Sequence, residues 1–406
     1  MLKGKKIVLG ITGGIAAYKQ AELTRLLIKQ GADVRVVMTE NATKFITPLT
    51  LQTLTGNPVY TDTFSLTGDC EIEHISLANA ADIVVIAPAT ANIIGKIASG
   101  IADDLLSTFV MATKAPVLIC PAMNTNMYTN EIVMTNIEKL SSAGYFVMKA
   151  GYGELACKTE GSGRLPPLED ILEEVMTILT EKDLAEETIL ITAGPTREPF
   201  DPIRFISNYS SGKMGYSFAI MAKRRGADVI LISGPTLLPV PPGVRFIQVS
   251  TAMEMRNAVM ECLEESTVII KVAAVADYRP SVLSDSKIKK KDSPFNVSLE
   301  KNPDIISEVG KKKGNRILVG FAMETDNLLK NAYDKMVSKN MDLIVANDLT
   351  RPGAGFQYDT NSVRIIDRSG DVRKLPIMNK KRVADKILDR IKKLCKERKT
   401  EISQCR

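Results

Sequence analysis

Histidine is almost missing from this 406-residue chain: it occurs once, as His74. A single imidazole excludes metal sites built on two or more histidines, and any imidazole chemistry falls to that one residue. Cysteine is sparse as well. Cys70, Cys120, Cys157, Cys262, Cys395 and Cys405 form no C-x-x-C pair and no small-loop framework, so neither a zinc ribbon nor a secreted disulfide scaffold is indicated. That usage fits a reducing compartment, the cytoplasm. An excess of one charge is missing too, because 53 basic against 47 acidic residues leave +6 spread over a long chain. Nucleic acid is therefore not expected as a partner. Long apolar runs are absent: three glycines interrupt IVLGITGGIAA after the basic MLKGKK, and Ile83 to Ala102 contains Pro88, Asn92 and Lys96. Neither a signal peptide nor a membrane span is expected.

What is present is ordinary for a chain that folds in water, with 45% hydrophobic and 25% charged residues. At roughly 100 to 200 residues per domain, the length implies two to four domains. Short Val/Ile runs alternate with amphipathic helical segments, giving strands near Ile7 to Ile11, Val34 to Met38, Ile83 to Ile86, Val117 to Cys120 and Tyr145 to Met148. The rhythm restarts at Thr188 to Thr192 and continues near Val229 to Ile232, Val268 to Val272, Ile317 to Val319 and Leu343 to Ala346. This predicts α/β architecture with two doubly wound, Rossmann-like domains of mainly parallel sheet. LLIKQGADVRVVMT at 26–39 echoes MAKRRGADVILISG at 221–234, each a helix end, a Gly-Ala-Asp turn and a strand. The acidic, glycine-free connector ending near Glu186 sets domains of 1–186 and 187–406. After Gly353 the pattern predicts a β-hairpin extension, a closing helix, and a solvated basic tail from Lys392 that frays.

Several segments bear chemistry. GITGGIAAYK at 10–19 places a glycine pair between a buried strand and a helix, either a phosphate cradle or a tight structural turn. PATANIIGKIASGIADDLLS at 88–107 and PAMNTNM at 121–127 both follow strand ends, where open α/β sheets bind ligands, and their neutral polar side chains suit a heterocycle or amide. GYGELACKTEGSGR reads as a glycine-rich flap carrying Cys157. His74 is open between a catalytic imidazole and a satisfied helix-start residue. In the second half, DPIRFISNYSSGKMG ends in a small-residue loop entering a helix, a second anion cradle without a Walker A pattern. Asp277 lies just beyond a buried strand in VAAVADYRP, and KIKKK at 287–291 is either a solvated face or a neutraliser of a triphosphate.

In order along the chain, GITGGIAAYK, the lone His74, ADDLLS, PAMNTNM and the Cys157 flap resemble the flavin-containing cysteine decarboxylase family. AGPTREPFDPIRFISNYSSGKMG, KVAAVADYRP, KIKKK, LEKNPDI, GFAMET and the lysines Lys335 and Lys339 resemble phosphopantothenoylcysteine synthetase. Together they are similar to the bifunctional coenzyme A biosynthesis proteins, from about residue 5 to 390. The resemblance implies FMN, surrounded by Gly13, Gly14, Thr39, Thr90, Asn92 and Ser107. It also implies oxidation of the cysteinyl group to a thioaldehyde that accepts the electrons of decarboxylation. His74 then acts as acid-base residue of the oxidative step, Asn124 holds the substrate carboxylate or amide, and Cys157 donates a proton to the enethiol.

For the second half the resemblance implies amide formation between 4'-phosphopantothenate and cysteine through an acyl-cytidylate made from CTP. Lys287, with Mg2+ or Mn2+, offsets charge on the α-phosphate, and Asn208 holds the activated acyl group. Ala273, Asp277, Lys287, Pro303, Asp304, Phe321, Lys335 and Lys339 contact CTP, while the metal ligands stay unassigned. The product, 4'-phosphopantothenoylcysteine, is the decarboxylase substrate. A homo-oligomer is implied, with trimers of flavin domains and dimers of ligase domains making a dodecamer. A two-domain nicotinamide oxidoreductase and a regulatory binding subunit with a decarboxylase-like domain are the alternatives; flavin colour and CTP-dependent diphosphate release separate them.

Overall fold

A computed structural model describes residues 2–62, 73–154, 160–289, 296–323, 328–347, 355 and 358–404; for 73–76, 323, 328 and 401–404 it describes the backbone alone. The chain forms two compact units, Met1–Thr180 and Glu181–Arg406.

In the first unit, strands β1 (Lys6–Ile11), β2 (Asp33–Met38), β3 (Val59–Tyr60), β4 (Ile83–Ala89), β5 (Val117–Pro121) and β6 (Phe146–Val147) form a sheet in the order β3-β2-β1-β4-β5-β6. Every pairing is parallel. Parallel strands need helical crossovers, which cover both faces, so strands read as unbroken apolar runs; all of β4 is buried. Ile7, Leu9 and Ile11 meet Leu23, Leu27, Ile171 and Val175 on one face, while Val8 meets Ile93 and Phe109 on the other. An antiparallel hairpin follows, β7 (Gly151–Glu154) with β8 (Glu160–Arg164). The chain winds outward from β1 through β2 to β3, then returns beyond β1 as β4. Between β1 and β4 the winding reverses, and a crevice opens at their carboxyl ends.

The second unit contains β9 (Thr188–Ala193), the hairpin β10 (Arg197–Pro199) and β11 (Phe205–Ser207), β12 (Asp228–Ser233), β13 (Arg245–Gln248) and β14 (Val268–Lys271). A second hairpin, β15 (Tyr278–Pro280) with β16 (Leu299–Lys301), precedes β17 (Ile317–Met323) and β18 (Leu343–Asn347). The short β19 (Thr360–Asn361) is followed by β20 (Val363–Asp367) and β21 (Val372–Lys374). The main sheet runs β13-β12-β9-β14-β17-β18-β20-β21, parallel as far as β18 and antiparallel at the final hairpin. Its winding reverses between β9 and β14.

The echoed junctions have the same geometry. Gly31 and Gly226 adopt φ of 91° and 88° at the ends of helices Gln20–Lys29 and Lys213–Arg224. In each, the following alanine amide bonds back to a carbonyl five residues earlier, Ala32 to Leu27 and Ala227 to Ala222.

The C-terminal tail departs from the sequence expectation. Helix Lys380–Gln404 continues past Lys392 instead of fraying, because Val383, Ile387, Leu388, Ile391 and Cys395 form a buried stripe against the second unit's core. Several of its basic residues are paired: Lys392 with Asp183 at 2.7 Å, Lys399 with Glu186 and Glu187 at 2.8 and 2.9 Å, and Arg398 with Asp342 at 2.8 Å. The acidic connector is thereby fastened to the second unit; Asp183 also takes two 2.8 Å bonds from Arg225. Among the described residues no helix is long and apolar enough to cross a membrane.

Candidate functional site

A cavity of about 1060 Å³ occupies the crevice of the first unit. Its walls come from strand ends and hold Gly13 and Gly14 after β1, Thr39 after β2, Thr90 and Asn92 after β4, and Asn124 after β5. Thr12, which the sequence reading passed over, ties two of these ends together. Its buried hydroxyl donates to the Pro88 carbonyl at 2.6 Å and accepts the Thr90 amide at 3.2 Å. Gly13 is required by close approach, since a Cβ there would lie 2.4 Å from Asn41 Cβ. Gly14 opens the short helix Ile15–Lys19 with no side-chain cap. Thr39 precedes helix Glu40–Thr43, and its buried hydroxyl oxygen has no hydrogen-bond partner among the described residues. An unsatisfied buried hydroxyl costs about 1–3 kcal/mol, so this atom is suited to a ligand's hydrogen bond.

The hairpin β7–β8 supplies the remaining wall through Glu154, Gly163 and Arg164. The Met123 amide donates to the Gly163 carbonyl at 2.9 Å, and Gly161 packs on Thr125, where a Cβ would lie 2.4 Å from Oγ1. Glycines in EGSGR thus let the hairpin seal against the loop carrying Asn124. That asparagine begins helix Thr125–Tyr128, with its Oδ1 accepting the Asn126 amide at 2.9 Å.

Ser107 does not line the cavity. It is fully buried, and its hydroxyl donates to the Asp104 carboxylate at 2.8 Å while accepting the Asp104 amide, a capping box for helix Leu105–Ala112. Asp104 itself reaches the cavity, paired with Lys96 at 3.0 Å. Burial pushes its carboxyl up, but the Ser107 amide and Lys96 outweigh burial and hold it below its ordinary value. His74 lies in the first turn of helix Glu73–Ala80, where only the backbone is described. Cys157 lies outside the described residues, between the paired ends Glu154 and Glu160.

In the second unit most of the predicted residues lie beyond the carboxyl ends of the neighbouring strands β9 and β14. Thr192 accepts the amides of Val272 and Ala273 at 3.2 Å, and Thr196 accepts that of Ala276 at 3.0 Å. Asn208 donates to the Ala274 and Val275 carbonyls at 3.4 and 3.1 Å, bringing the SNYSSGKMG loop against the same segment. Asn302 fastens the loop at Asp277 through the Asp277 carbonyl at 2.8 Å. Asp304, following Pro303, caps helix Ile305–Lys312 and takes Lys339, just past the end of helix Leu328–Ser338, at 2.6 Å. Burial raises the Asp304 carboxyl, yet Lys339 and the Ser307 amide bring it below the ordinary range. Phe321 is turned away from this group. Its ring packs edge-on against Phe218, 5.8 Å between centroids, in the opposite layer from helix Leu328–Ser338.

Lys287 is exposed, and its neighbour Ile288 is anchored by two residues to which the sequence reading gave no role. The Ile288 amide donates to Asp201 at 3.3 Å, and the Ile288 carbonyl accepts Arg204 Nη2 at 2.9 Å. Asp201 is buried and doubly bonded by the Arg204 guanidinium, which holds its carboxyl far below the usual range. Lys290 and Lys291 lie outside the described residues.

Family models match both halves: "Flavoprotein" over residues 1–180, and "DNA/pantothenate metabolism flavoprotein C-terminal domain" over 184–394. A doubly wound fold with a large crevice at its switch point, in a chain matching both models, defines a flavoprotein of pantothenate metabolism. Three similar proteins each bear the name coenzyme A biosynthesis bifunctional protein CoaBC. The one from Bacillus subtilis is 47% identical over 98% of this chain and 99% of its own length. Those from Escherichia coli K12 and Haemophilus influenzae are 46% and 44% identical over 96% of this chain, and 97% and 98% of their own. The chain belongs to the family of bifunctional coenzyme A biosynthesis proteins. It is an enzyme with a decarboxylase half and a ligase half.

Proposed function

We propose that the first unit holds FMN in its crevice and decarboxylates 4'-phosphopantothenoylcysteine, and that the second makes that substrate from 4'-phosphopantothenate, cysteine and CTP. The observation that carries the flavin reading is the cavity of about 1060 Å³ gathering Gly13, Gly14, Thr39, Thr90, Asn92 and Asn124 at one sheet edge. The residues fit the cofactor. Gly14 offers an uncapped helix start for the phosphate, the missing Cβ at Gly13 keeps the backbone close, and Thr39 holds an unspent hydroxyl. When bound, the flavin supplies the two-electron redox chemistry that lets an acyl-cysteine carboxylate leave. Asn124 orients the substrate carboxylate or amide, the glycine-sealed hairpin excludes water, His74 moves the proton of the oxidative step, and Cys157 returns one to the enethiol. Ser107 acts at one remove, by fixing Asp104.

In the ligase half, Lys287 offsets charge at the CTP α-phosphate and Asn208 positions the activated acyl group, on a segment that Asp201 and Arg204 hold still. Ala273, Asp277, Pro303, Asp304, Lys335 and Lys339 surround the nucleotide. Phe321 contributes through its main chain, given where its ring points. A divalent Mg2+ or Mn2+ arrives with the phosphates: among the described residues no three His, Cys, Asp or Glu side chains cluster as a ready cage. The reading extends to a cytoplasmic homo-oligomer, trimeric through flavin domains and dimeric through ligase domains, with a dodecamer as the closed assembly. Purified protein should carry a flavin absorption spectrum and release diphosphate from CTP only with 4'-phosphopantothenate present. Colourless protein that cannot be reconstituted with FMN and does not consume CTP would refute both halves, and light scattering decides the assembly.

A further inference from the structure

Lys271 is the one charged residue in the run VIIKVAAVA at 268–276, and it closes β14 at the carboxyl edge of the second sheet. Its register neighbours are Thr192 of β9 and Gly320 of β17, so it stands where the winding reverses. Strand alternation puts it on the side of Ile269, in the layer of helices Ile305–Lys312 and Leu328–Ser338. The charges that act on it are Asp304 from the first helix's cap, Lys335 from the second helix, Lys339 just past that helix's end, and Asp277 from the loop beyond β14. Three ammonium groups (Lys271, Lys335, Lys339) therefore meet two carboxylates (Asp277, Asp304), and Asp304 is already engaged by Lys339 at 2.6 Å. Among the described residues no hydrogen bond or ion pair holds Lys271. Burial lowers its pKa to about 8, with Asp304 opposing the fall and the two lysines adding to it. The cluster has positive charge to spare at a strand end, and a polyanion is what would satisfy it.

We infer that Lys271 is a further ligand of the nucleotide triphosphate in the ligase half, and that it takes up a proton from solvent as the nucleotide binds. This rests on the CTP reading of that half. The proton comes from water or buffer, no bond to the nucleotide is made, and the added charge on nitrogen answers the phosphates. Near pH 8 about half the free sites lack that proton, so CTP binding draws in roughly half a proton per chain.

Titration calorimetry of the full-length protein with CTP and Mg2+ at pH 8, in buffers of different ionisation enthalpy, reads both quantities. Lys271→Met should weaken CTP about ten- to a hundredfold, the loss of one charge-assisted contact. Lys271→Arg, which keeps a permanent charge, should bind within a few-fold of wild type and take up no proton. Undiminished CTP affinity in the methionine variant, or undiminished proton uptake in the arginine variant, overturns the inference; should the methionine variant fail to fold, the arginine variant decides alone. Wild-type protein that neither binds CTP nor releases diphosphate removes the CTP reading, and this inference falls with it. That failure shows in the wild type, whereas failure of the Lys271 assignment shows only in the variants.

Discussion

Replacing Gly163 by alanine tests whether the hairpin wall governs the flavin site. Gly163 has φ of 136°, a conformation that costs a residue with a Cβ about 1–3 kcal/mol. The added carbon would also lie 2.3 Å from the Met123 carbonyl oxygen, roughly 1 Å inside the closest usual carbon–oxygen approach. Because the obstacle is backbone, the hairpin must move, breaking the 2.9 Å bond from the Met123 amide at a further cost of about 1 kcal/mol. The total, about 2–4 kcal/mol, falls on the wall beside Asn124 and corresponds to a drop of roughly 5–15 °C in the flavin unit's unfolding temperature. Flavin absorbance per chain and decarboxylation should both fall, while CTP-dependent ligation, in a separate compact unit, stays near wild type. A variant that keeps its flavin and an unshifted transition would show that the hairpin does not form this wall.

His74→Asn should abolish carbon dioxide release while leaving diphosphate release intact, and undiminished decarboxylation would take His74 out of the mechanism. Lys287→Gln should suppress acyl-cytidylate formation by about two orders of magnitude, the scale of losing one preorganised charge partner; a diphosphate burst of wild-type size would return KIKKK to a solvated surface. For Asp183, burial raises the carboxyl, but Arg225 and Lys392 override it and leave its pKa depressed. Its stabilisation is thus complete above the unfolded value near pH 3.9 and is lost as pH falls through the lower folded value. Asp183→Asn should cost about 2 kcal/mol at pH 7, because Asp385 and Asp389 still accompany Arg225. The penalty should shrink towards pH 3, and urea midpoints showing equal penalties at both pH values would count against the ion pair.

Much of this was legible in the sequence where one physical demand dominates. Parallel strands buried on both faces must be apolar, so the strands of both sheets stood out, and Gly13–Gly14 and Asn124, which line the first unit's cavity, follow such strands. Where the structure departs from expectation a specific partner decides, near in sequence for Ser107 and remote for Phe321, Asp201 and Arg204. Ser107, expected from the resemblance beside FMN, instead spends its hydroxyl on Asp104 within the same ADDLLS segment. Phe321 is expected from the resemblance as a CTP contact, but strand alternation sends its ring to the layer opposite Asp304 and Lys339. Asp201 and Arg204 were visible in DPIRFIS without a purpose until Ile288 came to rest on them. A lone lysine ending an apolar strand was the available signal for Lys271, and KIKKK drew the eye instead. The tail was misjudged because its charge density outweighed the spacing of Val383, Ile387, Ile391 and Cys395, which marks a packed face.

The fastening of the connector has a practical corollary for dissecting the two activities. A recombinant ligase fragment starting at Thr188, flush with its first strand, would discard Asp183, Glu186 and Glu187, leaving Lys392 and Lys399 without the carboxylates that hold them and Arg225 with Asp385 and Asp389 alone. The final helix would then lose half its moorings while its apolar stripe stayed in place. A cut made just after Thr180 retains them all, so the autonomy of the ligase is decided by a handful of residues that belong to no strand or helix.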